Sequence, residues 1–578
     1  MSRIAIVQKD KCNPIKCDYL CIKLCPLNRS GEECIIKDKK IIIDEELCTG
    51  CGICQNRCPF KAISIINLPK ELKIQPIHQY SKNGFRLYRL PTPLFGKVTG
   101  IIGKNAIGKT TALNILANIL KPNLGILDKQ TSYEDLIKFF KGTESQNFFE
   151  KLKNHEIIVS YKPQKVDNIP LNYKGKVIDL LKKVDEKNKL NEISKILQID
   201  NILNNDIKNL SGGELQRVAI AATSLKKANL YIFDEPSSYL DIKQRLNVAK
   251  FIRSLANEYT AILVVEHDLI ILDYLADLIY IMYGKESCYG ICSQVKSAKS
   301  GINTYLEGYL KEENVKFRDK KIQFLVKPPI RKKISPKLVT WDKLIKKLGN
   351  FNLQVSPGLI NENEVIGILG ENAIGKTTFI KLLAGILEID SGEINKKLKI
   401  SYKPQYIQAS NEIVQDLLKD IKKEIILHLD LSDLAFKRVN ELSGGELQKL
   451  AIASCLSQKA DLYLLDEPCA FLDVEQRLII SKLIRDEMEL NDTSALIVDH
   501  DIIFIDYISN KLLIFSGIPS KQGYSNGPFE VENGMNLFLK ELNITMRKDP
   551  ETNRPRINKL DSQLDKLQKS KGNLYYSK

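Results

Sequence analysis

Gly103-Lys104-Asn105-Ala106-Ile107-Gly108-Lys109-Thr110 and Gly370-Glu371-Asn372-Ala373-Ile374-Gly375-Lys376-Thr377 are two copies of one pattern, G-x4-G-K-[ST], set 267 residues apart in a chain of 578. Each follows an apolar run (Val98 to Ile102, Val365 to Leu369) and opens an apolar helical pattern, the strand-loop-helix context that a phosphate loop requires. In such a loop the backbone from Gly103 through Asn105 to Gly108, or from Gly370 through Asn372 to Gly375, cradles phosphate at a helix N-terminus. Lys109 and Lys376 reach the β- and γ-phosphates, and the hydroxyls of Thr110 and Thr377 hold magnesium, with Thr111 and Thr378 beside them.

The same order of motifs then runs through both halves. Gln164 and Gln405 each close a Tyr-Lys-Pro-Gln tetrapeptide, and Leu210 to Gln216 returns letter for letter as Leu442 to Gln448, Leu-Ser-Gly-Gly-Glu-Leu-Gln. The apolar strands Leu230 to Phe233 and Leu462 to Leu465 each deliver an Asp-Glu-Pro, Asp234-Glu235 and Asp466-Glu467. Leu240-Asp241 and Leu472-Asp473 follow, then His267 and His500, each in a His-Asp pair, in a chain with five histidines.

Five motifs in fixed order, twice over, resemble the ATP-binding cassette (ABC) ATPases. The resemblance implies an α/β fold with two ABC-type nucleotide-binding domains in tandem and two ATP sites. It places magnesium on Asp234 and Asp466 with Gln164 and Gln405, the polarising of water on Glu235 and Glu467, and γ-phosphate contact on His267 and His500. It also gives Ser211, Gly213, Ser443 and Gly445 of the signatures to the γ-phosphate of ATP held by the opposite domain, so that the domains pair within one chain. Ala106 and Ala373 depart from the family, which usually has Gly there; the expected effect is a tighter loop that still binds. Tyr80 and Phe85 in the first half and Phe351 in the second lie at suitable distances to stack on adenine, or serve as ordinary core.

Ahead of the motors lie two cysteine arrays. Cys48, Cys51, Cys54 and Cys58-Pro59 follow C-x2-C-x2-C-x3-C-P, the bacterial ferredoxin run in which the fourth cysteine ligates the other cluster. Cys12, Cys17, Cys21 and Cys25-Pro26 are more loosely spaced but end alike. By that logic Cys48, Cys51, Cys54 and Cys25 hold one 4Fe-4S cluster, and Cys12, Cys17, Cys21 and Cys58 the other, in a ferredoxin-like α+β domain. Cys34 is left over. Zinc is the competing reading, disfavoured because three evenly spaced cysteines before Cys-Pro are not a two-plus-two grouping. Cys288, Cys292, Cys455 and Cys469 read as small buried apolar residues.

No apolar run approaches the ~18 residues that span a bilayer, and no signal peptide precedes the arrays, so the expected setting is cytoplasmic, without membrane contact. The net charge of +16 is concentrated outside the motors: residues 311–347 hold thirteen Lys or Arg against four Asp or Glu, and residues 547–578 nine against four. Such stretches either meet a polyanion or stay solvated.

Gln164 and Gln405 stand 241 apart and Ser211 and Ser443 232, so the first half carries about 26 extra residues after its phosphate loop. Tyr133 to Leu152, with Phe139, Phe140, Phe148 and Phe149 and a break at Gly142, reads as helix-loop-helix, and its confinement to one repeat favours a docking element over shared core.

The whole layout is similar to subclass E of the ABC proteins, the RNase L inhibitor family of ribosome-recycling factors, including the ninth cysteine Cys34 and the run Asn553 to Lys559. The resemblance implies a ferredoxin-like domain at 1–68, a first ABC domain at 69–305 with its insertion near 132–155, a basic hinge at 306–345, a second ABC domain at 346–540 and a C-terminal hinge and basic tail at 541–578. It implies cofactors ATP, Mg2+ and two 4Fe-4S clusters, and as partners the ribosome, especially the small subunit and its rRNA, with a release factor or Pelota-type rescue factor. Function is then splitting of ribosomes by ATP-driven closure. A redox or cluster-carrier ATPase is the alternative, and an importer ATPase leaves the cysteine domain unexplained.

Overall fold

The computed structural model describes residues 3–67, 75–127, 131–322, 324, 336–395, 398–407 and 410–576. The expected boundary at 68/69 and much of the basic run 311–347 (323 and 325–335) lie outside these residues, as do the last two residues of the basic tail. The chain forms two compact units: residues 1–236, 252–266 and 276–320, and residues 237–251, 267–275 and 321–578.

The first unit begins with a small domain closed by its own ends. Arg3–Val7 pairs antiparallel with Ile63–Asn67, from Val7 against Ile63 outward. Ile35–Lys37 pairs with Ile41–Ile43 in a short hairpin. Four short helices, Pro14–Cys17, Leu20–Leu24, Pro26–Arg29 and Ile53–Arg57, fill the space between. Its apolar core is slight (Ala5, Val7, Ile35, Ile41, Ile43, Ile63), and cysteines occupy much of the rest.

The nucleotide-binding part of this unit is built on a mixed sheet in the order His78–Gln79, Arg86–Tyr88, Tyr289–Cys292, Leu278–Lys285, Val98–Gly103, Ala261–Val265, Leu230–Asp234, Val159–Lys162. The last five strands are parallel. Of these, Ala261–Val265 and Leu230–Asp234 are buried on both faces and read as continuous apolar runs, not alternating ones. The second unit repeats the order: Leu344–Leu348, Phe351–Val355, Gln522–Glu530, Lys511–Ile518, Val365–Leu369, Ser494–Val498, Leu462–Asp466, Ile400–Lys403. In both sheets the phosphate-loop strand is central and the Asp-Glu strand lies two places away, so both motifs end at the same edge. Among the described residues no helix is long and apolar enough to cross a membrane.

The insertion is a helix pair, Tyr133–Phe139 and Glu144–Lys153, turned at Gly142 (φ 80°). The docking expectation does not fit its aromatics. Phe140, Phe148 and Phe149 are buried in the core of the first nucleotide domain, with Phe140 stacked on Phe149 at 5.2 Å. A helix pair added to one repeat exposes an apolar stripe that has to be covered, and the parent domain covers it. The four scattered cysteines are buried, as expected of small apolar residues.

The C-terminal segment is tied to two matched positions. Arg556 forks onto Asp273 (2.7 and 2.9 Å) and reaches Asp549 at 3.1 Å, with the buried Arg554 3.5 Å from Asp273. Tyr575 and Tyr576 donate to Asp506 at 2.5 and 2.7 Å. Asp273 and Asp506 each lie six residues beyond a motif histidine.

Candidate ATP sites and thiol centres

Both phosphate loops are shaped by the same backbone. Gly108 and Gly375 cap the helices Lys109–Leu116 and Lys376–Leu383 in the left-handed region (φ 88° and 99°). A Cβ at Gly108 would lie 2.6 Å from Phe85 Cζ, and one at Gly375 3.1 Å from Phe351 Cζ. Phe85 and Phe351 are therefore matched, half-buried rings beneath the loops, each packed against the core of its domain. Tyr80 differs: it is 53% exposed, and its hydroxyl lies 3.1 Å from Thr111 Oγ1. In the second half the residue that pairs with Phe351 is Leu348, an aliphatic side chain at the position matched to Tyr80. Ala106 and Ala373 sit at φ 57° and 58°, a left-handed conformation that costs an L-residue about 1 kcal/mol.

Lys109 donates to the carbonyls of Gly103 and Lys104 (2.9 and 2.7 Å), and Lys376 to those of Gly370 and Glu371 (2.8 and 2.5 Å). The ammoniums thus sit inside the loops. Burial holds Lys376 down at about 8, against the pull of Glu467 and Asp241.

The paired carboxylates are oriented alike. Gln164 Nε2 donates to Glu235 Oε1 at 2.8 Å, and Gln405 Nε2 to Glu467 Oε1 at 2.8 Å. Glu235 and Glu467 occupy φ 49° and 48°, strained backbone that turns each side chain out of its strand. His500 Nε2 stands 3.4 Å from Glu467 Oε1. Burial opposes ionisation of Glu467, but His500, the charge of Lys376 and the Gln405 bond outweigh it and hold the carboxyl at about 2. It is thus held as a carboxylate through the neutral range. His267 is buried at the matched position of the first half.

Asp234 and Asp466 are buried (1% and 0% exposed). Burial first, then the adjoining glutamate, raises Asp234 to about 6. Asp466 is likewise raised by burial to about 6, eased by Thr377, whose hydroxyl is close but not in hydrogen-bonding geometry. Thr110 Oγ1 donates to Asp234 Oδ2 at 3.2 Å. Both oxygens of Asp466 are buried without a hydrogen-bond donor. A buried, donor-less carboxylate beside a phosphate-loop Thr is a fit for a hard divalent cation with oxygen ligands.

Two matched pairs escaped the sequence reading. Lys162 and Lys403, fully buried, donate to the carbonyls of Asp234 (2.8 Å) and Asp466 (2.7 Å) and of the glutamate that follows each. Burial lowers each to about 8. Gln216 and Gln448 donate to the carbonyls of Glu235 and Glu467, each at 2.6 Å. Together they fix the strained turn. Their signal was the letter-for-letter repetition of Tyr-Lys-Pro-Gln and Leu-Ser-Gly-Gly-Glu-Leu-Gln. The signature Glu also has a local role. Ser211 and Ser443 cap the helices Gly212–Leu225 and Gly444–Ser457 in capping boxes with Glu214 and Glu446, which leaves exposed serines and glycine amides (Gly213, Gly445) at a helix N-terminus.

The eight array cysteines fall into two electrostatic groups. Cys12, Cys17, Cys21 and Cys58 repel one another, and so do Cys25, Cys48, Cys51 and Cys54. Burial first, then that repulsion, raises the Cys21 thiol to about 12 and Cys54 to about 11. Thiols crowded in this way fit a cationic iron centre that takes them as thiolates. Cys34 is buried against Cys25 and Cys48. The hairpin after Tyr80 joins this domain to the first ATP site. Asn83, in the left-handed region, donates to the Ala5 carbonyl and accepts from the Ile43 amide, both at 2.9 Å, while Arg86 Nη2 donates to both carboxylate oxygens of Glu45 (2.8 and 2.9 Å).

Comparison with known proteins agrees with this geometry. The ABC transporter family model matches residues 95–238 and 353–470, the Fer4-like domain of RNase L inhibitor residues 2–33, and the 4Fe-4S binding domain residues 41–64. The chain is 54% identical to an uncharacterised ABC transporter ATP-binding protein of Methanocaldococcus jannaschii, over 99% of this chain and 97% of the relative. It is 46% identical to translation initiation factor RLI1 of Saccharomyces cerevisiae, over 100% and 98%. A solved structure described as ribosome-bound archaeal Pelota and ABCE1 superposes with a TM-score of 0.94 at 50% identity, covering 100% of this chain and 99% of that one. A duplicated Lys, Gln, Asp and Glu site behind an iron-sulfur domain, aligned from end to end with such relatives, places the chain in the E family of ABC ATPases, the RNase L inhibitor family.

Proposed function

We propose that this protein is an ATP-driven ribosome-recycling factor. ATP binding closes its two nucleotide-binding domains on each other, and the closure moves the iron-sulfur domain against the ribosome so that the subunits part after termination or rescue. The observation that carries the reading is the Gln–Glu pair at 2.8 Å in both halves, in a chain that also carries the thiol domain. Two complete kits support ATP turnover at both sites. Support for the partner comes from the neighbours: one is ribosome-bound with Pelota, and another is the archaeal recycling factor in complex with a ribosomal stalk protein, at 51% identity, TM-score 0.83, covering 87% of this chain and 99% of that one.

Roles follow the chemistry. Glu235 and Glu467 orient and polarise the attacking water, Gln164 and Gln405 hold those carboxylates, and His267 and His500 take the γ-phosphate with Ser211 and Ser443. Mg2+ would be held by Thr110 and Asp234, or Thr377 and Asp466, with the glutamines near, and would supply charge neutralisation for the phosphates. Tyr80 is the residue proposed to stack on adenine. Two 4Fe-4S clusters would be held by Cys25, Cys48, Cys51, Cys54 and by Cys12, Cys17, Cys21, Cys58, bracing a domain with little apolar core of its own. The proposed functional segments are 1–68, 69–305, 306–345, 346–540 and 541–578, and the setting is cytoplasmic, as a monomer.

The test is Glu235→Gln with Glu467→Gln. Each amide keeps the size of the carboxylate but cannot polarise water, so the double variant should bind ATP, lose about 10²-fold or more in turnover and stay on small subunits. Unchanged turnover would contradict the assignment.

A further inference from the structure

Beside the second phosphate loop lies a charge pair whose matched positions carry the opposite signs. Lys243 Nζ is 2.7 Å from Glu371 Oε1. Next to it, the Asn372 amide donates to Asp241 Oδ2 at 3.0 Å, and Asn372 Nδ2 to the Tyr239 carbonyl at 3.4 Å. The rings of Tyr239 and Phe471, themselves matched residues of the two repeats, meet edge to face at 6.2 Å. The segment Tyr239 to Lys243 of the first repeat therefore lies on the phosphate loop of the second, next to a contact between equivalent residues. In the sequence Lys104 stands where Glu371 does, and Glu475 where Lys243 does.

We propose that Lys243 and Glu371 are specificity determinants of domain pairing: they favour a first nucleotide domain against a second, and disfavour like against like when two copies of the chain meet. If two first domains paired in the same way, Lys243 would meet Lys104 twice over. Two second domains would set Glu475 against Glu371 twice over. Unlike pairing has no such conflict. Specificity of this kind rests on repulsion in the wrong complex as much as on attraction in the right one. The inference matters for a motor whose halves are homologous enough to cross-pair wherever copies are concentrated. It rests on the proposed closure of the two domains.

Charge reversal separates the attractive part from the repulsive part. Lys243→Glu or Glu371→Lys alone should raise the ATP concentration for half-maximal turnover about 3- to 10-fold at low salt, the size expected of a half-exposed pair turned repulsive, and less at 1 M NaCl. Lys243→Glu with Glu371→Lys restores opposite signs within the chain and should return it to within about 2-fold. In like pairs the same double variant would set the new carboxylate at position 243 against Lys104, and the new ammonium at position 371 against Glu475, so both conflicts become attractions. With Glu235→Gln and Glu467→Gln added to hold ATP, it should self-associate at concentrations up to about 0.5 mM, the scale on which a second copy competes with a tethered domain. The same chain with Lys243 and Glu371 intact should stay monomeric in sedimentation equilibrium. A double variant as impaired as either single change, or one that self-associates no more than the parent, overturns the proposal. Loss of ATP turnover in the unmodified chain would instead overturn the ATPase reading beneath it.

Discussion

Asp466→Asn should leave the metal-free protein more stable relative to wild type at high pH than at low pH, while it abolishes Mg2+-dependent turnover. Burial raises this carboxyl from 3.8 to about 6. A folded value above the unfolded one means that the native state holds the proton more tightly between those limits. The carboxylate therefore costs stability that is absent below about pH 4, grows as pH rises from 4 to 6 and is complete above 6, amounting to about 3 kcal/mol. Asn carries no charge and escapes that cost, but its buried amide donors lack acceptors, a penalty of about 1–3 kcal/mol at every pH. The two nearly offset at pH 7.5, whereas at pH 4.5 only about 1 kcal/mol of the carboxylate's cost is present to set against the penalty. Urea or thermal unfolding of the nucleotide-free protein in chelator, across pH 4.5 to 8, should show the variant gaining about 2 kcal/mol on wild type as pH rises. Asp234→Asn should behave in the same sense, since Asp234 is also raised to about 6. A difference independent of pH would refute the reasoning, because it would mean that the aspartate is not held against ionisation.

Ala106→Gly and Ala373→Gly should each relieve a left-handed alanine and stabilise the protein by up to about 1 kcal/mol, seen as a rise of a few degrees in the unfolding midpoint. Asp273→Ala leaves the buried Arg554 and Arg556 without their shared carboxylate and should cost about 3–5 kcal/mol in the same assay. Tyr80→Ala should weaken ATP binding at the first site by about 5-fold or more with the fold intact, the loss of one aromatic contact, whereas Phe351→Ala should lower stability by about 3 kcal/mol through its cavity beneath the loop. Cys58→Ser should remove about half of the bound iron while the group containing Cys25 keeps its spectroscopic signal, a result read by iron analysis and electron paramagnetic resonance.

The motor architecture was legible because a phosphate loop, a signature and an Asp-Glu strand are local patterns whose chemistry is fixed by spacing, and each occurs twice. The cysteine arrays are local patterns too, each ending in Cys-Pro, and the structure sets Cys58 among Cys12, Cys17 and Cys21, and Cys25 beside Cys54. What escaped depends on packing across distant segments. That Phe85 and Phe351 lie beneath the loops, against Gly108 and Gly375, is not written in their spacing. The aromatic stripe of the insertion looked free because its repeat partner lacks it, yet its own domain covers it. Lys162 and Lys403 read as ordinary cations, and only the fold reveals them buried on the carbonyls of the Asp-Glu turn. Nor does any sequence pattern announce that Asp273 and Asp506 anchor the C-terminal segment.

The central claim is that ATP held by the two kits drives this chain to separate ribosomal subunits. Sedimentation of ribosomes through sucrose gradients with the purified protein, a rescue factor and ATP tests it most directly. The account predicts conversion of 70S or 80S particles to free subunits with ATP, with the Glu235→Gln, Glu467→Gln double variant retained on the small subunit. Intact ribosomes in every nucleotide state, with no protein on either subunit, would contradict it.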